Sequence, residues 1–159
     1  MNDTADGYRL RLRALQQATE ELNGLRDTND AEEAAIAAHR ALDAVYDLHE
    51  AYFRAVGIFR PLAARDDHLT TLGGQVVGAL AFARDAKTHD IITASRSAGL
   101  GELPFGAGPF GGGWVWREHA SDEPRFQTRA GWYRSLVQWK RLAAPLEDAY
   151  DFFADNEPA

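Results

Sequence analysis

In the stretch Gly78-Ala-Leu-Ala-Phe-Ala-Arg84-Asp85-Ala-Lys87-Thr-His89 an apolar run meets a cluster of charge. Leu72, Val76, Ala79, Leu80 and Ala83 recur at three- and four-residue steps, which reads as the last turns of a buried helix. Arg84 follows at once, where a fully buried charge is costly without a partner. Four residues separate Arg84 from His89, and no other histidine has an arginine four to six residues before it. Arginine is frequent in this chain, so the spacing alone says little; its position at the end of a buried helix says more. On an ideal helix, positions five apart lie about 140° round the axis. Arg84 and His89 therefore address one phosphate only if the helix ends near His89 or a second chain completes the site.

The segments before this stretch are helical in pattern. Residues 3 to 25 carry one seam, Tyr8, Leu12, Leu15, Thr19 and Leu22, at alternating four- and three-residue steps. Gly24 and the cluster Asp27-Thr-Asn-Asp30 end it, with Asn29 or Asp30 as the N-cap of the next helix. That second helix keeps the alternation through Ala31, Ala35, Ala38, Leu42, Val45, His49, Tyr52 and Val56, and a second row of Ala34, Ala41 and Leu48 widens the face to touch two neighbours. Gly57 and Arg60-Pro61 close it. Residues 61–68 read as a connector, with Asp66 and Asp67 capping the helix that carries the opening stretch. Gly73, Gly74 and Gly78 inside that helix point to close packing of a partner helix or to a mobile start.

The segments after it change character. From about 95 to 124, glycines alternate with Leu, Pro and Phe, followed by Trp114-Val115-Trp116-Arg117. Too many large apolar groups are present for a disordered tract, and the alternation around Trp114 and Trp116 predicts a short strand or hairpin. No G-x-x-x-x-G-K-[ST] occurs, which excludes a phosphate-cradling P-loop. Residues 127–154 return to helical spacing. Trp132, Leu136, Trp139, Leu142 and Ala143 form one stripe, and Leu146, Ala149, Tyr150 and Phe153 another; Pro145 divides the region into two helices. The fold class is therefore all-α: an up-and-down helical bundle in one domain, with a Gly/aromatic-rich insertion holding at most a short β-hairpin.

Composition bounds the function. The chain has 159 residues, 45% hydrophobic and 26% charged, with no run apolar enough to span a membrane. The first residues lack the basic and apolar regions of a signal peptide. Cysteine is absent, which excludes disulfides and thiolate chemistry and fits a cytoplasmic protein. A net charge of -7 gives no long-range field to attract nucleic acid, against a processive or high-affinity DNA or RNA binder. A local basic site, or a protein partner, remains compatible with it.

The stretch G-A-L-A-F-A-R-D-A-K-T-H resembles the signature helix of the HEPN superfamily. Those are small all-α domains, many of them metal-independent RNases or toxins, with an R-x-x-x-x-H motif whose arginine is followed by a polar residue. Asp85 fits that slot. The resemblance covers this helix and the layout of helices around it, roughly residues 1–90 and a C-terminal helix; the Gly- and Trp-rich segment departs from the minimal pattern. It implies a homodimer in which two motifs meet across a two-fold, RNA as substrate, no cofactor, and a protein partner such as an antitoxin.

Arg84, His89 and Asp85 are then the expected catalytic residues. An arginine fork holds a phosphate and stabilises the pentacoordinate transition state. A histidine titrating near neutrality acts as general base on a ribose 2′-hydroxyl or as general acid toward the leaving 5′-oxygen, without a metal. The bland reading pairs Arg84 with Asp85 or another carboxylate and leaves His89 at the helix C-terminus, favoured there by the dipole. Lys87, Trp114 and Trp116 are the candidate substrate contacts, although aromatics under a long connection more often build a satellite core. His49-Glu50 begins an H-E-x-x-H pattern that fails at Phe53, so His49 reads as a hydrogen-bonded core histidine. No spacing supports a three-histidine metal site among His39, His49, His68, His89 and His119. Two other functions fit the same pattern. One is a catalytically silent scaffold that binds a protein partner; the other is a bundle binding a small apolar ligand beneath the Trp-rich insertion.

Overall fold

The computed structural model describes residues 3–85, 91–94 and 113–158. Among them are six α-helices and one two-stranded ribbon: α1 (Asp3–Gly24), α2 (Ala31–Val56), α3 (Leu62–His68), α4 (Leu72–Asp85), β1 (Ile92–Ala94), β2 (Trp114–Trp116), α5 (Gln127–Leu136) and α6 (Ala143–Asp155). The architecture is an all-α up-and-down bundle. No helix of the described residues is long and apolar enough to cross a membrane.

The two long helices follow their seams. Tyr8, Leu15, Thr19 and Leu22 of α1 are buried, and Ala34, Ala38, Ala41, Leu42, Val45, Leu48, His49 and Tyr52 of α2 face the core. The Asp30 side chain accepts from the Glu33 amide, closing the α2 N-terminus, and Gly57 at φ 76° ends the helix. The Tyr8 hydroxyl donates to the Phe153 carbonyl at 2.9 Å, fastening α1 to α6.

At the centre lies α4, which packs on α2, α5 and α6. Every residue from Val76 to Ala83 is buried, so the helix is apolar around its whole circumference and its stripe is hard to see. Its glycines are occupied by this chain's own helices. A Cβ on Gly78 would stand 2.8 Å from Cζ3 of Trp132, and one on Gly73 or Gly74 3.2 Å from Phe152. Leu72, expected on the buried stripe, is 66% exposed at the first turn.

Four expectations are corrected. Residues 61–68 are not a bare connector: Leu62–His68 form α3, two turns, too short for a periodic signal. Asp66 lies within that helix and caps nothing; Thr71 Oγ1 accepts from the Gly74 amide at the start of α4 instead. The strand at Trp114–Trp116 is present, but it pairs antiparallel with Ile92–Ala94, with Ile92 opposite Trp116, so its partner precedes the Gly-rich segment. On its other side the Trp116 amide donates to the Lys140 carbonyl and the Trp139 amide to the Trp116 carbonyl, at 3.1 and 2.8 Å. These bonds hold Trp139 at φ 64°, strained for a bulky residue. The stripe predicted for the fifth helix is also rotated: Ala130, Tyr133 and Val137 are buried, while Trp132 and Leu136 are only half-buried.

Candidate functional site

Arg84 stands on the last turn of α4 with its side chain 38% exposed. Among the described residues, three groups surround it. Nε donates to Asp43 Oδ1 of α2 at 3.2 Å. Nη1 lies 3.7 Å from Asp85 Oδ1. The guanidinium carbon sits 4.3 Å from the centre of the Tyr46 ring, a cation–π contact. Partial burial works against the Arg84 charge, and Asp43 and Asp85 outweigh it. Burial, with Glu50 and Asp85 nearby, pushes the Tyr46 hydroxyl up. The carboxylate pairing read from the sequence as the bland alternative is thus present. An exposed pair of this kind is worth about 0–1 kcal/mol, so a phosphate can displace it.

Lys87 and His89 lie outside the described residues. The chain is helical to Asp85 and in a strand from Ile92.

A second polar constellation lies deeper, between α2, α3 and α5. Arg129 is 2% exposed; its Nε donates to Asp66 Oδ1 at 2.6 Å and its Nη2 reaches His49 Nε2 at 3.2 Å. Because a guanidinium only donates, His49 Nε2 must accept, and the proton sits on Nδ1, which faces Glu50 Oε1 at 3.2 Å. Arg65 then grips Glu50 with both Nη groups, at 2.6 and 3.3 Å, and lies over Phe53. Burial pushes His49 down to about 4, keeping it neutral. The hydrogen bonds from His49 and Arg65 hold Glu50 down to about 2 against its partial burial. Burial pushes Asp66 up, and Arg129 only partly offsets this. Each member has a partner, as a buried network requires. His49 is a hydrogen-bonded core histidine, as its place on the seam predicts. The sequence reading missed Arg129 and misplaced Asp66: a lone arginine on a short helix carries no pattern, and the only signal was an arginine beside the buried Ala130.

The tryptophans divide. Trp116 is fully buried, its indole N–H donating to the Leu142 carbonyl at 3.1 Å. It belongs to the core, and stacking on a base would require it to leave. Trp114 is half-buried, with its indole on the Thr28 carbonyl, and forms a wall of a cavity of about 150 Å³ with Leu22, Leu25, Ala34 and Leu142, to which Asn23, Arg26, Arg141 and Glu147 add polar groups. Ala34 and Asp43 are nine residues apart on α2, about 13 Å, so the cavity is separate from Arg84. Among the described residues no three histidine or acidic side chains converge as metal ligands. His68 bonds Tyr52 at 2.8 Å, and His119 packs on Phe82.

No family model, curated protein or solved structure matches this chain. Any functional reading therefore rests on the residues themselves.

Proposed function

We propose that this is a HEPN-like, metal-independent endoribonuclease, acting as a homodimer, in which Arg84 holds the scissile phosphate and His89 transfers the proton. The observation that carries this reading is the position of Arg84. It is a part-exposed guanidinium at the end of a helix buried from Val76 to Ala83, set among two surface carboxylates, Asp43 and Asp85, and a ring face. In the reaction the ribose 2′-oxygen attacks phosphorus while its proton passes to a histidine. The bond to the 5′-oxygen breaks, that oxygen takes a proton, and the product is a 2′,3′-cyclic phosphate. With one histidine per motif, two motifs across a two-fold supply the acid and the base. Lys87, within the same motif, is the candidate substrate contact, and Asp85 orients Arg84.

The test is the purified protein on mixed RNA in EDTA. Cleavage with 2′,3′-cyclic ends, DNA left intact, and a loss of about 10²–10⁴ in His89→Ala are expected. Arg84→Lys should rescue Arg84→Ala poorly, because the planar fork is gone. Equal activity, or equal inactivity, in the wild-type and His89→Ala preparations sinks the reading.

A second reading rests on the cavity beside Trp114. Its walls of Leu22, Leu25, Ala34 and Leu142 suit a small apolar ligand. Quenching or a blue shift of Trp114 fluorescence by such a ligand, lost in Ala34→Phe, would favour it over the nuclease.

A further inference from the structure

One side chain stands between the surface arginine and the buried network and has no part in the reaction above. Tyr46 carries the Arg84 guanidinium on its ring at 4.3 Å. The same ring lies 25° from parallel with the His49 imidazole, centres 6.0 Å apart. His49 is fixed in turn, by Arg129 at Nε2, by Glu50 at Nδ1, and by the Phe53 ring packed edge-on at 4.9 Å. Arg129 is fixed by Asp66 at 2.6 Å. Each step from Asp66, whose side chain is 9% exposed, to the half-exposed Arg84 is one of these contacts. The spacing on α2 makes this: Asp43, Tyr46 and His49 are each three residues apart and share one face.

We infer that Tyr46, braced by His49 and Arg129, is the positioning residue that sets the plane of Arg84 for a phosphate. This rests on the nuclease reading of Arg84. Asp43 pins Nε and the Tyr46 ring carries the guanidinium, so two contacts define its plane before substrate arrives. A flexible arginine would lose that alignment for every phosphate it meets, and alignment at a reacting centre is worth large factors in rate. The ring supplies the effect, and the hydroxyl is dispensable.

The experiment compares Tyr46→Phe, Tyr46→Leu and Arg84→Ala with wild type, each checked for its unfolding midpoint. The first readout is the NMR order of the Arg84 Nε–H group, identified by its loss in Arg84→Ala. The second is kcat and KM on a short single-stranded RNA. Tyr46→Phe should match wild type in both. Tyr46→Leu should leave Arg84 as mobile as a free surface arginine and lower kcat/KM about tenfold, with the loss persisting in kcat at saturating RNA. Unchanged order in Tyr46→Leu overturns the inference, as does Tyr46→Phe falling as far as Tyr46→Leu. If Arg84→Ala handles RNA like wild type, the nuclease reading is what has failed and the positioning role falls with it. The order measurement still shows separately whether the ring holds the guanidinium.

Discussion

Arg84 and Arg129 have similar settings, and the largest difference between them is burial. Each is set against an aspartate and an aromatic ring from another helix: Asp43 and Tyr46 for Arg84, Asp66 and His49 for Arg129. Arg129 is sealed from water, with its aspartate at 2.6 Å; Arg84 is over a third exposed, with its aspartate at 3.2 Å. Burial turns the first set into a fastening between α3 and α5 and leaves the second exchangeable. An arginine–aspartate pair is therefore no guide to role until its contact with solvent is known.

Removing one member of each pair should give the largest contrast. Arg129→Ala leaves Asp66 buried without its countercharge and should destabilise the fold by about 3–5 kcal/mol. Arg84→Ala should change stability by less than about 1 kcal/mol. Urea unfolding of the two variants measures both, and similar values would erase the distinction.

The pH dependence should come next. His49 stays neutral in the fold down to about pH 4, whereas an unfolded histidine takes up its proton near 6.5. Between those values the unfolded chain binds more protons, so the contribution is complete above pH 6.5 and is lost as pH falls toward 4. The loss is on the order of 3 kcal/mol. Glu50, held down to about 2, extends the decline below its ordinary 4.5, while the raised Asp66 opposes it in the carboxylate range. Unfolding midpoints between pH 7.5 and 5 should fall for wild type and fall less steeply for His49→Gln, the remaining slope coming from His119, which burial also pushes down. Arg84→Ala should keep the wild-type slope.

The smallest effect belongs to Asp43→Asn. It should move stability by no more than about 0.5 kcal/mol, yet tighten RNA binding by freeing Arg84 of a competing carboxylate. Weaker RNA binding would mean that the Asp43 contact favours the phosphate more than its charge competes with it.

The parts of this molecule legible in the sequence are those whose information is local. α1 and α2 announce themselves through repeated four-three spacing, and Asp30 and Gly57 mark their boundaries. Two C-terminal helices are legible, but the spacing divides them at Pro145, whereas the break falls between Leu136 and Ala143 and Pro145 lies in the first turn of α6; the face of the first helix is rotated from the one the spacing predicts. α3 escaped because two turns hold no period. β1, three residues long, escaped because its only reason to be a strand is β2, more than twenty residues later. Arg84 stood out as a charge at the end of an apolar run, but nothing near it in sequence names Tyr46 or Asp43, which sit about forty residues earlier. Arg129 was invisible for the same reason. Asp66 was misread because an aspartate shortly before a helix is ordinarily a cap, and only the fold shows that it faces an arginine from the far end of the chain.

The ribbon has a consequence for engineering. Its base is shut: the Arg117 amide bonds the Ile91 carbonyl at 2.8 Å, Ala94 faces Trp114, and Val115 pairs onward with Arg141. The chain therefore departs after Ala94 and returns at Gly113 across a single rung that the bundle itself holds closed. Between two points fixed in this way, doubling the length of any flexible connection adds only about 0.6 kcal/mol of closure entropy. The closed ribbon therefore lets the bundle carry a longer connection, such as a grafted peptide tag, without asking the helices to rearrange.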